Sequence, residues 1–327
     1  MVYNKYIGII GGTGTIGSII VKYLLQLQTH FHVLIGGRRS IKEISMSTFY
    51  NSERLKYNQM NYNNDVELDN FCSQCLLVIN AVGPSFKIND KIALHALRNN
   101  CHYIDIGGYG ILRDLLKPYE KSIEAQKLCF IIGVGWMPGI SGVFSKTIIE
   151  THLNSPENTN FNIYYGAVDN WSYSSTYDLA ASSMGKTRSY VYSHGKEIQV
   201  SPFRYTHHKF FPFIGHKKIC MPSFDEQLTQ LATSLKQIRK ISTFIMLNDY
   251  ISMGKFMFIK IFYKHNLNKA TLMLQDDYQR LVKKENKWGS VICQVSKIEP
   301  ERKIDTFYYL YLEMYLLGIM INISYMI

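Results

Sequence analysis

Apolar and polar positions follow two different rhythms along this 327-residue chain. In the first half, short apolar runs of strand length alternate with segments whose apolar residues recur at helical spacing. The apolar runs cover residues 6–10, 31–35, 76–81, 101–106 and 129–132. The segments with helical spacing cover residues 15–25, 88–99 and 112–127. Strands that alternate with helices are typical of a parallel sheet with helices on both faces, so this half is predicted to be a doubly wound α/β domain.

The rhythm changes from residue 160 onward, where aromatic and β-branched runs replace the alternation. These runs predict strands over residues 161–168, 217–221, 243–251, 256–263 and 291–295. A short helix is predicted over residues 177–184, and a hairpin over 188–200 that turns near Gly195. Such a succession favours an α+β domain with an antiparallel sheet. We therefore predict one domain over residues 1–148 and a second over 149–300.

The last segment, residues 301–327, is predicted to be a hydrophobic C-terminal helix that packs back on the first domain. Residues 307–327 carry a single charge, Glu313, and are long enough to cross a bilayer. Their tyrosines, together with Asn322 and Ser324, favour a buried helix over a membrane tail anchor, which stays open as the alternative.

A glycine-rich turn joins the first apolar run to the first helical segment. It fits the pattern G-x-G-x-x-G within a strand–turn–helix–strand unit, the arrangement that binds the pyrophosphate of a dinucleotide on a helix N-terminus. Gly12 is expected to allow the sharp turn, Gly14 the close approach of the phosphate, and Gly17 the packing of the helix on its strand. The predicted contacts are Gly11, Gly12, Thr13, Gly14, Thr15, Ile16 and Gly17.

The end of the second strand indicates which dinucleotide is bound. An NAD site places an acidic side chain there, whereas the 2′-phosphate of NADP needs cations. This chain has Arg38, Arg39 and Ser40, and guanidinium groups are well suited to phosphate. NADP is therefore the predicted cofactor. Residues Asn80, Ala81, Val82 and Gly83 end another buried strand at the carboxyl edge of the sheet, and their backbone is predicted to line the nicotinamide ribose.

Composition and charge limit the kinds of partner that the protein is expected to bind. The chain is 46% hydrophobic, as in a globular protein, and its net charge of +11 is spread along the sequence. A spread charge argues against nucleic acid and suits an anionic small molecule. Six scattered cysteines predict a reducing, cytoplasmic location and no disulfide frame. The single pair Cys72 and Cys75 and the adjacent His207 and His208 lack further ligands, so no metal site is predicted.

Several of these segments together resemble the saccharopine dehydrogenase-like family of NAD(P)-dependent oxidoreductases. The resemblance rests on residues 11–17, 37–39, 78–84, 101–108 and 138–142, in that order. It implies a Rossmann domain at residues 1–148, a substrate and dimerisation domain at 149–300, and a homodimer. It also implies hydride transfer from NADPH to an imine C=N bond or a related unsaturated bond of a small metabolite.

Catalytic residues are less clearly indicated. The candidates at strand ends are His102, Tyr103, Asp105, Asp169, Tyr173 and Asp178, with Lys186, Arg188 and Arg204 as possible binders of substrate carboxylates. A short-chain reductase would need tyrosine and lysine one helical turn apart. The pairs Tyr192/Lys196 and Tyr205/Lys209 have this spacing, but they follow the sheet domain, so that mechanism is disfavoured. A non-catalytic NADP-binding sensor or scaffold is the rival to an enzyme.

Overall fold

The chain divides into two compact units in a computed structural model, Met1–Gly135 and Trp136–Ile327. The structure describes residues 5–27, 30–40, 52–107, 110–152, 158–184, 189–212, 214–223, 226–236, 238–298, 303–315 and 318–326. The division falls before residue 148, the predicted domain boundary. The reason is the helix Ile140–His152, which packs in the second unit.

The first unit contains a six-stranded parallel sheet. Its strands are β1 (Tyr6–Ile10), β2 (Val33–Gly37), β3 (Leu55–Gln59), β4 (Cys75–Asn80), β5 (His102–Asp105) and β6 (Phe130–Ile132). Its helices are α1 (Thr15–Gln26), α2 (Asp65–Ser73), α3 (Ser85–Ile88), α4 (Lys91–Arg98), α5 (Gly110–Leu116) and α6 (Glu120–Ala125), with a 3-10 turn at Lys117–Tyr119. The strand order is β3-β2-β1-β4-β5-β6, and every pairing is parallel. This order confirms the Rossmann-type prediction.

Successive residues of the central strands pack into opposite cores. On β4, Val78 packs with Phe71 and Ile92 on one face, whereas Ile79 packs with Ile9 and Val21 on the other. A strand covered on both faces is apolar at every position, which is why it reads as a continuous hydrophobic run. Strand β3 gave no such signal, because it lies at the sheet edge and carries polar residues; the sequence interpretation treated its end as part of a connection.

The second unit contains a nine-stranded mixed sheet. Its strands are β7 (Thr159–Val168), β8 (Ser189–Ser193), β9 (Lys196–Val200), β10 (His207–Phe211), β11 (His216–Pro222), β12 (Lys240–Leu247), β13 (Trp288–Ile298), β14 (Lys303–Tyr315) and β15 (Gly318–Met326). Its helices are α7 (Ile140–His152), α8 (Tyr173–Met184), α9 (Pro202–Tyr205), α10 (Glu226–Ser234), α11 (Tyr250–Phe262) and α12 (Leu267–Val282). The main order is β10-β11-β12-β7-β13-β14-β15, with β8 on β12 and β9 on β8. Only β7 and β12 pair in parallel among these described strands.

Helix α7 belongs to this second core. Its residues Phe144 and Ile148 pack with Phe161 and Ile163 of β7. Burying an apolar helix face against the sheet is strongly favourable, and this contact places the helix with the sheet that follows it.

Residues 256–263, predicted as a strand, lie largely in helix α11. The side chain of Asp249 caps the helix by accepting a hydrogen bond from the Ser252 backbone N–H at 2.8 Å. Phe256 and Ile259 are its buried residues at the core, three positions apart, which is helical spacing. The exposed aromatic residue between them, Phe258, concealed this period in the sequence.

The C-terminal helix prediction is wrong, because residues 303–315 and 318–326 form strands β14 and β15. Strand β14 pairs with β13 along its length, and Tyr309 and Leu310 enter different cores on opposite faces. This alternation is that of a strand. None of the helices described by the structure is long and apolar enough to cross a membrane.

An ion pair fixes the start of α11. Arg280 of α12 donates to both carboxylate oxygens of Asp249, at 2.7 and 3.0 Å, and also pairs with Asp277. Burial of Asp249 opposes ionisation, but hydrogen bonds from Arg280 and Ser252 outweigh it and lower the pKa of this carboxyl to about 2.

The free energy of unfolding is expected to fall as the pH drops from about 4, the unfolded-state pKa of aspartate, to about 2. A lowered folded-state pKa contributes stability that is present above this window and lost within it. Asp249→Asn keeps a capping acceptor but does not titrate. Chemical denaturation should therefore show the variant less stable at neutral pH, with the difference from wild type shrinking in acid. A difference that stays constant with pH would contradict the prediction.

Candidate dinucleotide-binding site

The turn between β1 and α1 is held by backbone hydrogen bonds. Gly11 has a φ of 83°, a left-handed conformation that favours glycine, and its N–H donates to the Gly36 carbonyl at 2.8 Å. The Gly14 N–H donates to the Gly11 carbonyl at 2.9 Å, which closes the turn. The sharp reversal therefore falls on Gly11, whereas the motif predicts it at Gly12.

Each glycine of the motif answers a different steric demand. A Cβ on Gly12 would lie 2.8 Å from Ile35 Cγ2 of β2, and one on Gly17 would lie 2.2 Å from the Gly11 carbonyl oxygen. At Gly14 the nearest atom would be that same oxygen, at 3.2 Å. Gly12 and Gly17 therefore let protein pack against protein, whereas Gly14 stands at the open side of the turn, where a ligand can approach.

The N-terminus of α1 has its amide groups available. Its capping residue, Gly14, supplies no side-chain acceptor, and the first turn carries no acidic residue. Thr15 and Ile16 are exposed. Unpaired N–H groups and the positive end of the helix dipole attract a phosphate.

The turn after β2 presents two arginines. The Tyr57 hydroxyl donates to the carbonyls of Gly37 and Arg39, and Gln59 Nε2 donates to the Arg38 carbonyl at 3.3 Å. These bonds fix the backbone from the neighbouring strand β3. The Arg38 and Arg39 side chains are exposed, and neither has an ion-pair partner among the residues the structure describes. Tyr57 and Gln59 were missed by the sequence analysis because only the pairing of β3 with β2 reveals them.

A third loop, after β4, adjoins the glycine turn. The Ala81 N–H donates to the Ile10 carbonyl at 2.9 Å, and a Cβ on Gly11 would lie 3.0 Å from the Ala81 carbonyl carbon. Asn80 is buried and accepts from the Val82 N–H at 3.0 Å, so its side chain shapes the loop. The backbone of Ala81 to Gly83 is half-buried and forms part of the same sheet edge. The predicted cofactor residues from the ends of β1 and β4 are thus brought together.

Asp105, at the end of β5, is tied to this loop. Its Oδ2 accepts hydrogen bonds from Asn80 Nδ2 at 2.8 Å and from the Tyr103 hydroxyl at 2.6 Å. Its Oδ1 is buried and accepts no hydrogen bond from the residues that the structure describes. The residue lines a narrow pocket that Ser85 and Ile111 also line. A carboxylate with one unused oxygen at the ligand edge stays a candidate for contact with substrate.

Tyr103 is a structural residue and not a surface proton donor. Its ring is fully buried in the core beside Phe130, and its hydroxyl is committed to Asp105. Burial first, and the Asp105 carboxylate second, raise the pKa of this phenol well above its usual value. This candidate is therefore corrected. His102 is also engaged, because its Nδ1 accepts from the Cys129 N–H at 3.0 Å.

The remaining catalytic candidates lie in the second unit. Asp169 pairs with Lys287 at 3.1 Å, and the exposed Tyr173 donates its hydroxyl to Asn268 at 2.8 Å. Asp178 is buried. Lys186 and Arg188 lie outside the described residues.

Five of the six cysteines are buried thiols, and Cys129 is exposed. Cys72 and Cys75 lie in the core of the first unit, and burial raises the pKa of Cys75 to about 12. Among the residues described, no cluster of His, Cys, Asp and Glu could hold a metal ion.

Comparison with known proteins agrees with this geometry. Three strand ends meeting at a glycine turn define the first unit as a Rossmann-type dinucleotide-binding domain. Residues 7–129 match the family described as saccharopine dehydrogenase NADP binding domain. The resemblance read from the sequence is therefore confirmed, and the first unit of this chain is a saccharopine dehydrogenase-like domain.

Solved structures extend the likeness of the fold. Apo saccharopine dehydrogenase (L-Glu forming) from Saccharomyces cerevisiae is similar over 94% of this chain and 85% of its own, with a TM-score of 0.62 and 15% identity. At that identity the match shows the fold alone. A short-chain dehydrogenase/reductase from Veillonella parvula in complex with NADP matches 39% of this chain and 67% of its own, with 19% identity and a TM-score of 0.30. A search of curated protein sequences gives no match.

Proposed function

We propose that the protein is an NADPH-dependent oxidoreductase. The observation that carries the proposal is the pair of exposed arginines, Arg38 and Arg39, on a turn whose backbone is fixed beside the glycine loop. The end of this second strand is where a dinucleotide site meets the adenosine ribose, and cations there select a 2′-phosphate. The glycine cradle fits the pyrophosphate, since only Gly14 leaves the turn open.

The acceptor is proposed to be an imine C=N bond, or a related unsaturated bond, of an anionic small molecule. A bound NADPH supplies the hydride, and the protein supplies position and charge. Asn80 and Asp105 hold the loop at the nicotinamide end of the site. Asp105 supports this assignment, because its Oδ1 is buried and accepts no hydrogen bond from the described residues, which leaves it able to accept one from the N–H of a protonated imine. A carboxylate beside a protonated imine stabilises its positive charge.

NADPH is expected to raise the melting temperature more than NADH at equal concentration, because a ligand that binds only the folded state stabilises it according to its affinity. Differential scanning fluorimetry measures both shifts. Equal shifts would contradict the choice of NADP.

Measuring turnover tests the proposal that the acceptor is an imine or a related unsaturated bond. NADPH oxidation, followed by absorbance, is expected when amines and oxo acids are supplied in pairs that form imines. If the protein binds NADPH tightly but turns over none of a broad panel of such pairs, the result would instead support the rival hypothesis. That rival is a sensor or scaffold.

A further inference from the structure

Both faces of the sheet in the second unit carry an apolar core, and one of these faces also carries a row of polar side chains. On β7, Phe161 and Ile163 point into the apolar core that contains helix α7. Asn160, Asn162 and Tyr164 alternate with them and therefore lie on the other face. Both faces are well covered, so polar side chains are placed where burial is costly.

A polar row crosses three neighbouring strands on that second face. Asn162 is paired with Ser242 on β12 and with Gln294 on β13. Ser242 is only 2% exposed and Gln294 only 1%. Gln294 accepts from the Tyr164 hydroxyl at 3.0 Å and donates to Ser296 at 3.1 Å. The Ser242 hydroxyl, in contrast, has no hydrogen-bond partner among the described residues.

Basic side chains surround this polar row, which forms the floor of a cavity. Arg204 comes from α9, Lys209 from β10 and Lys240 from the start of β12. The Lys240 ammonium lies 4.9 Å from the centre of the Tyr205 ring, and the Lys209 ammonium lies 5.6 Å from that of Tyr164.

The positive charge of these basic side chains is not balanced by acidic residues in the described lining of the cavity. Burial, followed by the neighbouring Arg239, lowers the pKa of Lys240, as expected for a cation that is short of negative partners. No carboxylate is among the described residues that line the cavity, although Asp305 is near enough to raise the pKa of Tyr164. Such a surface attracts anions.

The floor and the basic side chains enclose a cavity of about 350 Å³, which is the size of a small-molecule site. We propose that this cavity binds a small oxoanion with two or more negative charges, borne by carboxylate or phosphate groups. Arg204 and Lys240 pair with the charges, and the Ser242 hydroxyl donates a hydrogen bond from the floor. Tyr205 and Phe244 provide apolar walls for the body of the ligand.

Every residue of this site belongs to the second unit and none to the glycine turn, so anion binding can be tested without NADPH. Isothermal titration calorimetry on the full chain without NADPH tests it. The probes are inorganic phosphate, pyrophosphate, succinate and citrate. Saturable binding is expected, tighter for the more highly charged member of each pair and weaker as salt is added. Binding by only the phosphates or only the carboxylates identifies which group the site takes.

Three substitutions locate the binding. Arg204→Gln and Lys240→Gln are each expected to weaken it by about tenfold, the effect of losing one charge-assisted hydrogen bond. Ser242→Ala is expected to weaken binding several-fold while raising the melting temperature of the anion-free protein, because it removes a buried hydroxyl that lacks a partner. Arg204 is exposed, so its variant keeps the test valid if a Lys240 variant folds poorly.

Lys269→Gln is the matched control, since it removes the same charge from an exposed position on α12 of the same unit. Its affinity should equal that of wild type. The proposal is overturned if none of the four anions binds saturably at millimolar concentrations, or if Lys269→Gln weakens binding as much as Lys240→Gln. Arg38→Ala/Arg39→Ala should bind succinate and citrate as wild type does, so failure of the NADP assignment leaves this result unaffected.

Discussion

Replacing Gly17 with alanine is expected to abolish NADPH binding and to destabilise the protein by about 1–3 kcal/mol. The added Cβ would lie 2.2 Å from the Gly11 carbonyl oxygen, a backbone atom that cannot move aside without opening the turn. The same oxygen accepts the hydrogen bond from Gly14 that closes the turn. Chemical denaturation and fluorescence titration with NADPH measure the two effects.

Two further alanine variants separate the causes. At Gly14 a Cβ would lie 3.2 Å from the Gly11 oxygen, a milder clash, so Gly14→Ala should cost less stability than Gly17→Ala while blocking the phosphate. At Gly254, inside α11, a Cβ has no neighbour within 4 Å, and Gly254→Ala should stabilise the protein by about 0.5–1 kcal/mol with normal binding. Normal NADPH affinity in Gly17→Ala would show that the glycine turn does not hold the pyrophosphate.

The double variant Arg38→Ala/Arg39→Ala is expected to bind NADPH about 100-fold more weakly, while its affinity for NADH changes little. Two charge-assisted hydrogen bonds to a phosphate account for that factor, and NADH lacks the phosphate. Because Tyr57 and Gln59 hold this turn through its backbone carbonyls, removing the side chains should leave the fold intact.

A matched control removes the same charge elsewhere. Lys117 and Lys121 are exposed residues of the first unit, and Lys117→Ala/Lys121→Ala lowers the net charge equally. It should bind both cofactors as wild type does. Loss of NADPH and NADH affinity to the same extent in the arginine variant would mean that Arg38 and Arg39 support the fold and do not read the 2′-phosphate.

The sequence was sufficient for the first unit because its signals are local. A buried parallel strand such as β4 is apolar throughout, and the glycines lie within seven residues of one another. The particular task of each glycine was not local: the contact with Ile35 on β2 shows that Gly12 allows close packing, and the φ of 83° shows that Gly11 makes the turn.

The errors came from long apolar segments whose period is hidden. Residues 307–310 are apolar on both faces because this part of β14 lies between two strands and two cores, so the length of the apolar segment alone suggested a helix. Their enrichment in tyrosine, phenylalanine and leucine held a usable signal, since aromatic residues favour strands. Tyr103 misled for another reason, because a phenol at a strand end looks catalytic until its burial is known.

The position of β7 has a consequence for synthesis on the ribosome. This strand lies between β12 and β13, and β13 begins at Trp288, 120 residues after β7 ends at Val168. At 5–20 residues per second, the edge of β7 that pairs with β13 waits on the order of ten seconds for its neighbour. The first unit, built from local crossovers, can be complete by then. In a nascent chain paused before residue 288, the first unit should therefore be folded and resistant to proteolysis. The second unit should still be accessible to chaperones.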